Sequence, residues 1–183
     1  CISLQNGINE ERMASVVGWG KTVGCIASTI AVELDRPGHI NRNVKLGGTE
    51  RMIFSVGEVH GRITSRVKKL AEMLACVDSS EVTTNLWGKR WSKLMVNCMR
   101  NPVSAATGRG GNANDRDDHT RRLAVRLAGE AGRIGVALGY ELGLVYKIEP
   151  HLLMAAEQGD SGAMAQCEEQ LLTNTTFRND DNR

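Results

Sequence analysis

The chain has 183 residues, enough for one ordinary domain or two small ones. At 41% hydrophobic and 24% charged it has the composition of a folded globular protein, not a disordered one. With 23 Lys+Arg against 21 Asp+Glu, the formal charge of +2 gives no reason to expect nucleic acid as a partner, and no apolar run reaches the roughly 20 residues that cross a bilayer.

In chain order, CISLQ at 1–5 is predicted as a short strand, closed by the turn Asn6-Gly7. A helix is expected over Glu10–Val17. The Val- and Ile-rich runs TVGCIASTIAVEL, HINRNVKL and RMIFSVGEV follow as strands, with turns at Arg36-Pro37-Gly38 and Gly47-Gly48. Residues 62–76 return to helical spacing, with Val67, Leu70 and Leu74 on one face, and EVTTN at 81–85 reads as a last strand. From there the pattern is helical. A helix is predicted over 86–101, ending before Pro102; GRGGNAN at 108–114 reads as a loop. A long amphipathic helix is expected over Asp115–Leu138, with Leu123, Leu127, Ala131, Ile134 and Leu138 as its buried face. Helical pattern continues over 151–156 and 163–172. The fold class is therefore α/β followed by all-α, with the two parts meeting at residue 85: 1–85 and 86–183. The opening at CISLQNG without Met and the closing polar run TNTTFRNDDNR both read as cuts in a longer chain.

The chemistry is concentrated in WSKLMVNCMRNPVSAATG at 91–108. Four residues advance a helix by about 400°, so Lys93, Asn97 and Asn101 share one face. The other faces are also apolar, so this stripe looks into a cleft or an interface, where each polar group needs a partner. Two readings stand: a ligand-facing stripe, or a structural polar network. If a ligand is the partner, a desolvated Lys is a usable general acid near neutral pH, and two Asn amides suit a carboxylate and a keto or hydroxyl oxygen. Together they would hold a 2-oxo acid and protonate its developing alkoxide. Asn6, just past a strand, stands where open α/β sheets bind ligands, although Asn-Gly is also an ordinary turn. Cys1, Cys25, Cys76, Cys98 and Cys167 have no CxxC spacing and read as reduced thiols of a cytoplasmic protein. The four histidines have no metal-ligand spacing, so no metal is expected.

SLQNGINEE at 3–11 and WSKLMVNCMRNPVSAATG at 91–108 together resemble the ketopantoate reductase (2-dehydropantoate 2-reductase) family. That family pairs an LQNG-type turn with a W-x-K-L-x-x-N-x-x-x-N-P-[LV]-[ST]-A motif, and PGHI at 37–40 falls where it has a similar turn. The resemblance implies the C-terminal part of a Rossmann-like NADP-binding domain over 1–85, then an incomplete helical substrate and dimerisation domain over 86–183. It implies Lys93 as proton donor to the keto oxygen, with Asn97, Asn101 and Asn112 as substrate contacts. Asn6 and Ile30 match cofactor contacts, and Glu130 matches an acidic position that is otherwise an ordinary exposed or packing carboxylate. The cofactor implied is NADPH, and the reaction is reduction of ketopantoate to pantoate in pantothenate and coenzyme A synthesis; a homodimer is left open.

The sequence also departs from the family. It has no GxGxxG phosphate loop after a strand, and GRGGNAN follows a helix, so it cannot serve as one. Ser161, Glu168 and Glu169 lack the motif that carries the family's closing Ser and Glu, and no role is carried over to them. Two alternatives therefore stay open beside ketopantoate reduction: a related hydroxy-acid dehydrogenase, and a non-catalytic helical interaction module.

Overall fold

The computed structural model describes residues 1–28, 30 and 32–176. Its elements group into two units, divided between Arg90 and Trp91 inside one helix. In the first unit the chain runs β1 (Ile2–Ser3), α1 (Glu10–Val17), a 3₁₀ turn (Trp19–Lys21), β2 (Val23–Ala27), β3 (Val32–Arg36), β4 (His39–Arg42), β5 (Phe54–Glu58), α2 (Ser65–Ala75) and β6 (Ser80–Val82), then the start of α3 (Leu86–Thr107). The run 22–34, expected as one strand, is two, β2 and β3. Residues 29 and 31 of that run, and 177–183 of the closing polar run, lie outside the described residues.

Four strands form a mixed sheet in the order β1-β2-β5-β6. β1 is parallel to β2, β2 antiparallel to β5, and β5 parallel to β6. β3 and β4 make a separate antiparallel hairpin through Pro37-Gly38, where Gly38 takes φ 81°. Strands β2 and β5 are buried nearly throughout: β2 reads as an apolar run, whereas β5 also buries Ser55, which donates to Glu81, and Glu58, which accepts from Arg66. Val23, Cys25, Phe54 and Val56 pack against Val67 of α2, with Leu70 and Leu74 beside it on the predicted face. Gly24 and Gly57 are register partners. A Cβ at Gly24 would come within 2.5 Å of the Leu86 side chain, so the two glycines make the bare patch on which the buried first residue of α3 sits.

The second unit continues α3 and adds α4 (Gly111–Arg116), α5 (Asp118–Ala137), α6 (Pro150–Glu157) and α7 (Ser161–Thr176). Met95, Met99 and Val103 carry one face of α3 into a core with Ala124, Val125, Ala128, Leu153, Cys167 and Leu171. The helix does not end at 101. Pro102 deletes one N–H, the donor to the Cys98 carbonyl, but the apolar face continues beyond it to the buried Val103, and burial outweighs the lost bond. Only residues 108–110 of the expected loop are non-helical. Asn114, in α4, accepts from Thr107 Oγ1 at 3.1 Å and donates to the Arg109 carbonyl at 3.3 Å. The expected helix from Asp115 is broken at Asp117, whose carboxylate caps α5 by accepting from the His119 and Thr120 amides.

The buried face of α5 also differs from expectation. Leu123, Ile134 and Leu138 are 49%, 50% and 58% exposed, while Ala124, Ala128, Gly129, Ala131, Gly132 and Gly135 are buried. A Cβ on Gly129 would overlap the Leu153 carbonyl of α6, and one on Gly132 would lie 2.8 Å from Met95 Cε. Small residues permit this close approach of backbones, and a periodicity of large apolar residues does not report it.

Candidate active site

In the first unit the stretch after β1 bends at Gln5–Ile8, with Gly7 at φ 90°. Asn6, at this bend, is exposed, and its carbonyl accepts from Asn9 Nδ2 at 2.8 Å. The bend is fixed by a residue the sequence reading did not single out. Arg90 Nε donates to Glu10 Oε1 at 2.7 Å, Nη1 to the Gln5 carbonyl at 2.9 Å, and Nη2 to the Ser3 carbonyl at 2.6 Å. Nη2 also reaches Ser3 Oγ at 2.9 Å. One guanidinium thus holds the end of β1, the turn and the start of α1. Its partners are 80 or more positions away, so no local pattern announces it. Ile30, half-buried, follows β2 and packs on the sheet core. Asn6 and Ile30 therefore follow the C-terminal ends of two adjacent parallel strands, the edge at which open α/β sheets take ligands.

In the second unit Lys93 and Asn97 are half-buried and Asn101 exposed, one turn apart on unbroken helix. Among the described residues, no hydrogen bond or ion pair engages the side chains of these three. Another flank of α3 is held by contacts: Arg100 pairs with Asp115 and lies 4.6 Å over the Tyr146 ring, and Asp115 Oδ2 accepts from Thr175 Oγ1 at 3.0 Å. Those contacts fix the helix's rotation about its axis, and with it the aim of the stripe.

Between α3 and α5 lies a cavity of about 360 Å³, lined by Asn97, Cys98 and Pro102 on one side and Leu127, Glu130, Ala131 and Ile134 on the other. It brings Asn97 and Glu130 together; Lys93 and Asn101, a turn to either side of Asn97, are not among its lining residues. Asn112 is half-buried in α4. Desolvation pushes the Cys98 thiol up from its ordinary pKa, and the Glu130 carboxylate adds to the shift. Of the residues read from the sequence as core, Ala131 is buried and Leu127 packs against the core, and both also line this cavity; Ile134 is exposed on its wall. Glu168 is held by Arg121 and Arg122, an ion-pair role. Among the described residues there is no cluster of His, Cys, Asp and Glu that could hold a metal, and no helix is long and apolar enough to cross a membrane.

Residues 85–172, from just before α3 into α7, match the family model described as "Ketopantoate reductase PanE/ApbA C terminal". A 2-dehydropantoate 2-reductase of Mesorhizobium japonicum is 36% identical over 124 residues, 67% of this chain and 36% of that protein. The chain belongs to the ketopantoate reductase family. A second 2-dehydropantoate 2-reductase, from Archaeoglobus fulgidus, is 29% identical over 161 residues, covering 87% of this chain and 52% of that protein. The chain thus spans about half or less of the curated ketopantoate reductases it matches. Among solved structures, 2-dehydropantoate 2-reductase from Porphyromonas gingivalis W83 aligns at a TM-score of 0.62 and 19% identity, over 96% of this chain and 60% of that one. A D-mandelate dehydrogenase solved with NADH aligns at 0.65 and 13% identity, over 96% and 72%. At these identities the structural likeness is one of fold: the partial Rossmann-like region and helical domain of a ketopantoate reductase.

Proposed function

We propose that the chain serves an NADPH-dependent reduction of 2-dehydropantoate to pantoate, with Lys93 as the acid. The observation that carries this reading is the Lys93–Asn97–Asn101 stripe, one turn apart on α3, without protein partners among the described residues and inside the family match. When bound, the nicotinamide supplies a hydride to the keto carbon. The ammonium of Lys93 hydrogen-bonds the keto oxygen, opposes its growing negative charge, and gives it the proton that completes the alcohol. Asn97 and Asn101 offer amide N–H donors to the carboxylate and an amide oxygen to a hydroxyl, and Asn112 adds a further substrate contact. Asn6 and Ile30 meet the nicotinamide end of the cofactor. On this reading the reaction belongs to pantothenate and coenzyme A biosynthesis in the cytoplasm.

The test is loss of NADPH absorbance on addition of 2-dehydropantoate to the full chain, with NADH run alongside. Turnover should depend on the keto acid and favour NADPH. Lys93→Ala should lower kcat by roughly 10²–10⁴-fold, the range of a lost general acid, with an unchanged unfolding midpoint. Turnover unaffected by Lys93→Ala would remove the proton-donor role, and the absence of keto-acid-dependent oxidation would overturn the reading.

A further inference from the structure

The cavity between α3 and α5 has a chemistry that the proton donor and the amides do not use. Asn97 belongs both to the polar stripe and to the cavity wall, so a keto acid held by its amide stands at the cavity's edge. The facing wall, from α5, is aliphatic: Leu127, Ala131 and Ile134. Ile134 is 50% exposed, an apolar surface that water covers poorly and an apolar group would cover well. At about 360 Å³ the space suits a small-molecule substituent. Among the described residues of the lining Glu130 is the charged one, and a carboxylate there repels a second carboxylate on a ligand.

Resting on the reading above, we propose that this cavity receives the substituent on C3 of the 2-oxo acid, so that α5 sets specificity. Leu127 and Ile134 select bulky, uncharged, branched alkyl groups, and Glu130 turns away dicarboxylic 2-oxo acids. The polar stripe recognises the 2-oxo acid head common to the whole class; the cavity tells its members apart.

The experiment is methyl and amide NMR of the full chain, with NADP⁺ present so that no turnover occurs. The probes are 3,3-dimethyl-2-oxobutanoate, pyruvate and 2-oxoglutarate. The Leu127 and Ile134 methyl signals should shift with the dimethyl acid and stay still with pyruvate, while the Asn97 side-chain amide responds to both. Leu127→Ala should weaken the dimethyl acid by ~10-fold or more, and pyruvate by less, as expected for lost apolar contacts. Glu130→Lys should strengthen 2-oxoglutarate by about 10-fold through reversed charge. Shifts at Asn97 with all three acids and none at Leu127 or Ile134 would overturn this inference and leave the proposed reaction standing. Shifts nowhere, with any acid, would overturn both.

Discussion

Arg90→Met keeps the aliphatic stem and removes the guanidinium that ties β1, the Asn6 bend and α1 together. The Arg90 and Glu10 side chains are 2% and 0% exposed, so water cannot replace what is lost. The Glu10 carboxylate would be left in the interior without its counter-ion, and the Gln5 and Ser3 carbonyls without their donors. Breaking one side of a buried ion pair costs about 3–5 kcal/mol. Against a total stability of about 5–15 kcal/mol, that is enough to move the urea midpoint of the first unit far to the left or abolish the transition. Removing both charges is different in kind, because no orphaned ion remains; Glu10→Leu combined with Arg90→Met should recover most of the loss. Urea unfolding followed by circular dichroism on the parent, both single variants and the double gives the coupling energy. A loss below about 1 kcal/mol for Arg90→Met, or a double variant no better than the single, would refute the argument that the pair is held by burial.

Gly129→Ala should destabilise the second unit, although alanine favours a helix over glycine by about 1 kcal/mol. Its Cβ overlaps the Leu153 carbonyl, and forcing α5 from α6 costs about 1–3 kcal/mol, so the melting temperature should fall. A raised melting temperature would show that the two helices yield freely. Glu58, a buried carboxylate, accepts from Arg66 Nε at 2.7 Å and also from Thr64. The Arg66 hydrogen bond holds its carboxyl below the ordinary value. A depressed folded-state pKa gives stability that is present above the unfolded pKa of about 4.3 and lost as pH falls below it. Urea midpoints at neutral pH and at about pH 3 should therefore differ less in Glu58→Gln than in the parent, and equal differences would count against the pairing.

The polar stripe was legible because it is local: Lys93, Asn97 and Asn101 recur at helical spacing, and one helix determines which way they face. Strands β2 and β5 were legible from their β-branched runs, and α1 from Glu10 to Val17 was predicted to its ends. What escaped depends on partners distant in sequence. Arg90 looks like any surface arginine until Glu10 is known to meet it. The face of α5 was placed correctly at Leu127 and Ala131 but misassigned at Leu123, Ile134 and Leu138, because large apolar residues were counted as core where small ones, Ala124, Ala128 and Gly129, are buried instead. Asp117 as a cap, and the break it makes between α4 and α5, fall in the polar run GNANDRDDHT at 111–120, where no apolar periodicity marks the end of one helix and the start of the next.

The guanidinium at the first unit's far end also bears on the order in which that unit can form. Its partners Glu10, Gln5 and Ser3 lie 80, 85 and 87 positions earlier, nearly the whole length of the unit. Contacts closing so long a loop are entropically costly until the intervening chain has ordered, so β2, β5 and α2 assemble first and the pair closes over them late. β1 has only two residues paired to β2, so its own ladder holds it weakly until Arg90 arrives. An interaction made after the barrier acts on how fast the native state opens, and little on how fast it is reached. The turn carrying Asn6 is thus kept in place by a bolt slid home at the end of folding, and its lifetime is governed by how often that bolt is drawn.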